Sequence, residues 1–364
     1  MRNILTRSLK TLNDLSGYLK VIEKTNTLAT YKPVVNDSPA VHTLTAEVSG
    51  LLRSLRTKKV FEYNSVIVTI YGALESFIEG SILAYLEILN RVVPSYKKLP
   101  AVLIENHFDF SAQLIKNLTK AKYATKIKKE SIIINLNSCI VDINYKLNNH
   151  AYIDHSANFR HDAVVTILKH IGISDLTGKL LNCELFSNFL KTKHQSSTAL
   201  NLRGEKVFFP LDELAQRRND VAHGVASEIV DRGYLQEFIE YVEAYVRAVN
   251  WVLQQELYDL LCKHAAVLRI DDIKKIYQKH IVCFGHPAGT LSIGDVIIGK
   301  SASSNPELKL SQVRDLQIKK TSYPTLNWTV PTDMCMALDT GVDVKDNYTF
   351  FLIDNKLSSL LTRI

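Results

Sequence analysis

The chain has 364 residues, 46% apolar and 22% charged, with 14 glycines and 9 prolines. This ordinary globular usage excludes a collagen-like, low-complexity or largely disordered chain, and the length predicts about two domains. Lys and Arg number 44 against 37 Asp and Glu, a formal charge of +7, which permits a nucleic-acid partner without demanding one.

Residues 3–24 place Leu5, Leu9, Leu12, Leu15, Leu19 and Ile22 at steps of three and four, the spacing of an amphipathic helix. Charges interrupt this segment, so it lacks the apolar core of a signal peptide. Residues 26–43 hold Pro33, Asn36 and Pro39 without a period and predict a loop, followed by a short helix at 44–57. The stretch 59–92, ended by Pro94, keeps Val66, Ile70, Leu74, Phe77, Ile78 and Ile82 mostly at helical steps. Glu75, Glu79 and Glu87 interrupt its most apolar part, and a charge at a bilayer centre costs about 2.5–3.5 kcal/mol. It therefore predicts a buried core helix, in a soluble, cytoplasmic protein with no membrane partner.

A helix is expected at 100–118. Lys120, Lys122, Lys126, Lys128 and Lys129 follow, either a solvated face or a phosphate-contacting patch. Residues 130–145 suit strand or helix, 157–171 a helix, and 192–210 a loop or hairpin turning at Arg203-Gly204. Residues 211–223 predict a helix closed by Gly224, and 231–261 a long amphipathic helix. After a helical linker at 263–279, short β-rich runs (HIVCF, DVIIG, LQIKK, WTV, MCMAL, YTFFLI) alternate with turn signals. The expected fold is α+β: an all-α helical domain over 1–262, then a small antiparallel β barrel or sandwich over 280–364.

Cys139, Cys183, Cys262, Cys283 and Cys335 are scattered, odd in number and free of any C-x-x-C pair. They predict neither a disulfide framework nor a cysteine zinc site. There is no H-x-H, H-E-x-x-H or clustered-Asp pattern and no Gly-x4-Gly-Lys-Ser/Thr loop, so neither metal nor cofactor is expected.

One segment concentrates polar chemistry, LDELAQRRNDVAHGV at 211–225. Asn219 and His223 are four apart and share a helix face, while Arg218 is rotated about 140° from His223 and reaches with a long side chain. Arg217 offers a second cation. His223 stands beside the negative end of the helix dipole, where an imidazole is placed to carry a proton. In HSANFRHD, 155–162, the residues His155, Arg160, His161 and Asp162 form either a second phosphate site or a polar helix start capped by Ser156 or Asn158. His107 and Asp109 read as incidental. In the β-rich region Lys300, Lys309, Lys319 and Lys320, with Tyr323 and Trp328, suit a basic aromatic binding face or a solubilised core.

The string RRNDVAHG resembles the Arg-x4–6-His motif of the HEPN superfamily, closest to bacterial groups of the RiboL-PSP type. The long apolar helix carrying Tyr71-x3-Glu75 upstream and the long amphipathic helix downstream fit the same resemblance, which spans roughly residues 50–262. The resemblance implies a metal-independent endoribonuclease working as a homodimer. His223 would be the acid–base residue, Arg218 the phosphate and charge-stabilising residue, Asn219 an orienting residue and Arg217 a weaker phosphate contact. Products would carry 2′,3′-cyclic phosphate and 5′-OH ends. It further implies an RNA partner such as tRNA or mRNA, a toxin or antiviral-defence role, and an antitoxin or defence partner. Two departures stand out. Val225 occupies the position where one subgroup carries a modified tyrosine, and Asp220 adds negative charge beside Asn219, pointing away or pairing with Arg217. The alternatives are a HEPN module that binds nucleotide, RNA or a partner without cutting, and a purely structural dimer.

Overall fold

A computed structural model of the chain describes residues 1–32, 34–35, 37–54, 57–154, 158–194, 204–224, 228–285, 289–303, 306–328, 333–339 and 341–357. Helices fill the first part: α1 (Arg2–Thr30), α2 (Pro39–Ser54), α3 (Lys58–Val92), α4 (Ala101–Lys116), α5 (Lys129–Val141), α6 (His161–His170), α7 (Leu176–Asn182), α8 (Glu184–His194), α9 (Gly204–Ala222) and α10 (Arg232–His264). Strands follow: β1 (Ala266–Ile270), β2 (Ile273–Tyr277), β3 (Ile281–Gly285), β4 (Gly289–Ser292), β5 (Val296–Ser301), β6 (Leu308–Gln312), β7 (Asp315–Ile318), β8 (Thr321–Ser322), β9 (Thr325–Trp328), β10 (Asp333–Ala337) and β11 (Tyr348–Ile353). The chain is thus α+β, helical first and antiparallel β last.

Several expectations need correction. The loop set at 26–43 is shorter, because α1 continues to Thr30 and α2 starts at Pro39, proline being well tolerated in the first turn of a helix. Of the two readings left open for 130–145, the helical one holds, over residues 129–141. The segment 263–279 is not a helical linker, since β1 and β2 occupy most of it. Leu268 and Ile270 alternate with charged Arg269 as in a half-buried strand, and an irregularity between Ile273 and Lys275 lets both Ile273 and Ile276 pack on the same core. The loop or hairpin at 192–210 is mostly wrong among its described residues: α8 runs to His194, and α9 begins at Gly204 and crosses Pro210. A proline inside a helix loses one hydrogen bond and clashes with the preceding turn, at about 3 kcal/mol. Here Val207, Phe208, Leu211 and Leu214 are buried, each worth about 1.5–3 kcal/mol, and the Tyr241 hydroxyl donates to the Val207 carbonyl at 2.8 Å. Burial outweighs the proline. The Arg203-Gly204 turn lies partly outside the described residues.

The fold divides into two compact units that do not follow the helix-to-strand change. The first comprises residues 1–82, 155–169 and 174–250, and the second 83–154, 170–173 and 251–364. In the first, α1 buries Leu12, Leu15, Leu19 and Ile22, and α3 buries Val66, Ile67, Ile70, Leu74 and Phe77. Ser8 of α1 donates to the Ala73 carbonyl of α3 at 3.2 Å. By length and composition α3 could cross a membrane, but 56% of its most apolar window is buried within the protein, as in a core helix.

In the second unit a polar network is buried around His107. The Asn148 N–H donates to Nε2 at 3.0 Å, which leaves the proton on Nδ1, facing the Tyr96 hydroxyl at 3.2 Å. His107, incidental by sequence, is therefore a structural core residue. The Tyr145 hydroxyl reaches the Leu89 and Val93 carbonyls at 3.1 and 2.9 Å, satisfying the open end of α3.

The strands form three antiparallel sheets, ordered β1-β11-β5-β6, β2-β3-β10-β7-β8 and β4-β9. Ile270, Val282, Phe284, Ile297, Leu316, Met336 and Phe350 pack into one apolar core. The β3–β10 register sets Cys283 directly opposite Cys335, and they are joined as a disulfide across 52 residues of chain. Spacing along the sequence gave no sign of this pair. Of the basic residues weighed for a binding face, Lys300 pairs with Asp259, and Lys309 with Glu307 and the Asp343 carbonyl, while Lys319, Lys320 and Tyr323 are exposed. The Trp328 side chain lies outside the described residues.

The pairing predicts three reactive thiols in the chain unfolded without reductant, those of Cys139, Cys183 and Cys262, and five after reduction. Loop-closure entropy for this separation gives a loss on reduction of about 4 kcal/mol, read as a lower urea midpoint. Five thiols without reductant would refute the disulfide.

Candidate functional site

Helix α9 ends at Ala222, and His223 follows it with its N–H on the Asn219 carbonyl at 2.9 Å. Gly224 then takes φ 65, the left-handed conformation that closes a helix cheaply only with glycine. This stop leaves His223 exposed at the helix end. Val225 lies outside the described residues.

The adjacent arginines have opposite fates. Arg217 is committed to the protein itself. Its guanidinium pairs with Glu213 at 2.7 Å, donates to the Tyr63 hydroxyl at 3.0 Å and the Glu228 carbonyl at 2.9 Å, and lies 5.9 Å from the Tyr234 ring centre. Both charged groups are mostly buried, at 16% and 15% exposure. The Tyr234 hydroxyl completes the latch by donating to Glu213 at 2.6 Å; burial, with this bond second, raises its pKa to about 12. These contacts tie α9 to α3 and to the start of α10, and leave Arg217 ill suited to bind phosphate.

Arg218 points elsewhere. Its guanidinium lies 5.2 Å from the Tyr71 ring centre and contacts the Asn219 side-chain oxygen at 3.4 Å. A planar guanidinium over an aromatic face keeps its edge donors available while its orientation is set. Asn219 thus touches Arg218 through its side chain and His223 through its backbone. Asp220 does not pair with Arg217; it accepts from Gln216 at 2.9 Å.

Tyr71 also anchors the segment before α6. Its hydroxyl accepts the Phe159 N–H at 2.8 Å. Burial raises its pKa, against which the Phe159 N–H acts, and the charges of Glu75 and Arg218 act in opposite directions. The next residues turn toward α9: Arg160 donates to the Gln216 side-chain oxygen at 2.9 Å, and the His161 N–H to Asp212 at 3.2 Å. His161 itself is core, not site. Its ring stacks on Phe208 between Tyr245 and Thr177, at 3.1 and 2.9 Å. His155 and the proposed cap Ser156 lie outside the described residues. No cluster of three or more His, Cys, Asp or Glu suited to a metal occurs among the described residues.

Sequence reasoning missed the latch partners Tyr63, Glu213 and Tyr234. Only Glu213–Arg217, four apart on one helix, carried a signal.

The chain is a member of the HEPN superfamily. More particularly, the family model RiboL-PSP-HEPN matches residues 42–255, and the chain belongs to that family. No curated protein matches. Among solved structures, a flavohemoglobin from Malassezia yamatoensis with bound FAD and heme aligns at 14% identity with a TM-score of 0.16, too low to mark a shared fold. That alignment covers 78% of this chain and 65% of the flavohemoglobin, so the chain spans less than two thirds of its length.

Two predictions follow from these contacts. Tyr71→Phe keeps the ring beneath Arg218 but removes the hydroxyl that accepts the buried Phe159 N–H, at about 1–3 kcal/mol, measurable by urea unfolding; an unchanged midpoint would count against the anchor. Burial also lowers His107 and His161 to about 4 from an ordinary 6.5. Between those values the unfolded chain binds more protons, so stability is complete above about pH 6.5 and falls as pH drops toward 4. The slope is at most about 1.4 kcal/mol per pH unit for each histidine. A melting temperature flat from pH 6.5 to 4 would contradict this.

Proposed function

We propose that this chain is a metal-independent endoribonuclease that cuts RNA by attack of a ribose 2′-hydroxyl on the adjacent phosphate. The observation that carries the reading is the end of α9: Arg218 held on Tyr71 and touching Asn219, with His223 exposed one turn further on. His223 takes the 2′-OH proton as the 2′-oxygen bonds to phosphorus. The P–O5′ bond then breaks, and the departing 5′-oxygen takes a proton from the same histidine of a second copy. Arg218 donates to the phosphate oxygens as their charge grows, a role for which a pre-oriented guanidinium is suited. Asn219 orients Arg218. Arg217, satisfied by Glu213 and Tyr63, acts as a positioning residue that holds α9 in place.

The reading requires a homodimer in which two helix ends face one cleft, and an RNA substrate, with tRNA and mRNA as candidates. A toxin or antiviral-defence role, with an antitoxin or defence partner restraining the activity, extends it.

Wild type and His223→Ala, incubated in EDTA with total RNA and a tRNA pool, test the mechanism. Wild type is expected to leave 2′,3′-cyclic phosphate and 5′-OH ends. His223→Ala is expected to lose about 10²–10⁴-fold in rate with an unchanged melting temperature, because the side chain is exposed. Arg218→Ala should lose about 10²–10³-fold in kcat. A folded wild type that binds RNA without cutting it would favour the binding-module alternative, and a His223→Ala variant that cuts normally would remove the mechanism.

A further inference from the structure

We propose that Arg160 is a second phosphate-binding point, gripping an RNA phosphate that flanks the one cleaved; this rests on the ribonuclease reading above. The backbone around Arg160 is fixed on both sides. The preceding residue donates its N–H to Tyr71 at 2.8 Å and the following one donates to Asp212 at 3.2 Å. The Arg160 N–H itself meets the Asn158 carbonyl at 2.8 Å, and its carbonyl receives the Val164 N–H at 3.1 Å. The same tyrosine therefore orients Arg218 through its ring and the Arg160 segment through its hydroxyl.

The partner of the Arg160 guanidinium decides its use. Arg217 meets a carboxylate, whereas Arg160 meets a neutral amide, the Gln216 side-chain oxygen at 2.9 Å. Gln216 is held in turn by Asp220, at 2.9 Å from its amide nitrogen. No carboxylate among the described residues forms an ion pair with it: Asp212 accepts the His161 N–H, Asp220 accepts from the Gln216 amide, and Asp162 is exposed in the first turn of α6. The arginine is exposed and aimed by an uncharged partner, with most of its five donors unused by contacts among the described residues. This is how a cation is presented to a phosphate rather than consumed in an ion pair.

Position sets which phosphate. Gln216 and His223 are seven residues apart, two helical turns on nearly the same face, so about 10 Å separates them along α9. A strand lying along this face meets Arg160 at one end and His223 at the other. Arg160 therefore contacts a flanking phosphate, and its contribution grows with substrate length.

The test uses the full chain as wild type, Arg160→Ala and Arg160→Lys. Binding of an uncleavable 2′-O-methyl RNA octamer is titrated by fluorescence anisotropy at several salt concentrations. The ratio of kcat/KM for an RNA octamer over a dinucleoside monophosphate is measured in parallel. Arg160→Ala is expected to lower the salt slope of binding by about 0.7 and the octamer-to-dinucleoside ratio roughly tenfold, and Arg160→Lys to restore the slope. If wild type cuts RNA while Arg160→Ala keeps both slope and ratio, the inference fails and the ribonuclease reading stands. A fall in activity with slope and ratio unchanged marks a purely structural arginine and also overturns it. A wild type that neither binds the octamer nor cuts RNA overturns both.

Discussion

The helical unit depends on a single side chain used at both ends, Tyr71. Its ring carries Arg218 and its hydroxyl holds the Phe159 N–H. A tyrosine suits this because an aromatic face attracts a guanidinium while a buried hydroxyl must find a partner. Phenylalanine would supply only the first property. Because Tyr71 sits in the well-buried α3, both the end of α9 and the start of α6 are referenced to a packed core helix, the condition for placing reactive groups accurately.

Around that point two neighbouring arginines divide the work. Successive residues on a helix project about 100° apart, so Arg217 turns to Tyr63, Glu213 and Tyr234 while Arg218 turns to Tyr71. A mostly buried ion pair is costly to break, since removing one member strands the other away from water. The latch keeps α9 seated, and the exposed end of the same helix is then free to carry chemistry. Pro210, which argues locally against a helix, is overruled by the burial of Phe208 and Leu211 and by the stacking of His161 on Phe208.

The β region is organised by register. Cys283 and Cys335 are remote in sequence and opposite in space because β3 and β10 run antiparallel with those residues as partners. Lys300 is taken up by Asp259 of α10 and Lys309 by Glu307, in ion pairs that no count of positive charges reveals. Basic residues contribute to a binding face only when no carboxylate reaches them first.

What the sequence determined by itself is whatever depends on short-range periodicity and backbone rules: the helical character of the chain to about residue 262, the burial of α3, the stop at Gly224, the main strand runs, and the Arg218–Asn219–His223 spacing. Each follows from steps of two, three or four residues, or from glycine's tolerance of positive φ. The tertiary structure alone decided the meeting of residues far apart in the chain: Tyr71 with Arg218 and Phe159, Arg217 with Tyr63, Arg160 with Gln216, and the disulfide. It also decided the state of α9 across Pro210 and the strands at 266–277, where local preference was weak or opposed. The reason is physical. A partner's identity depends on which surfaces pack together, and packing is set by the sum of apolar burial over whole elements, which no local pattern carries.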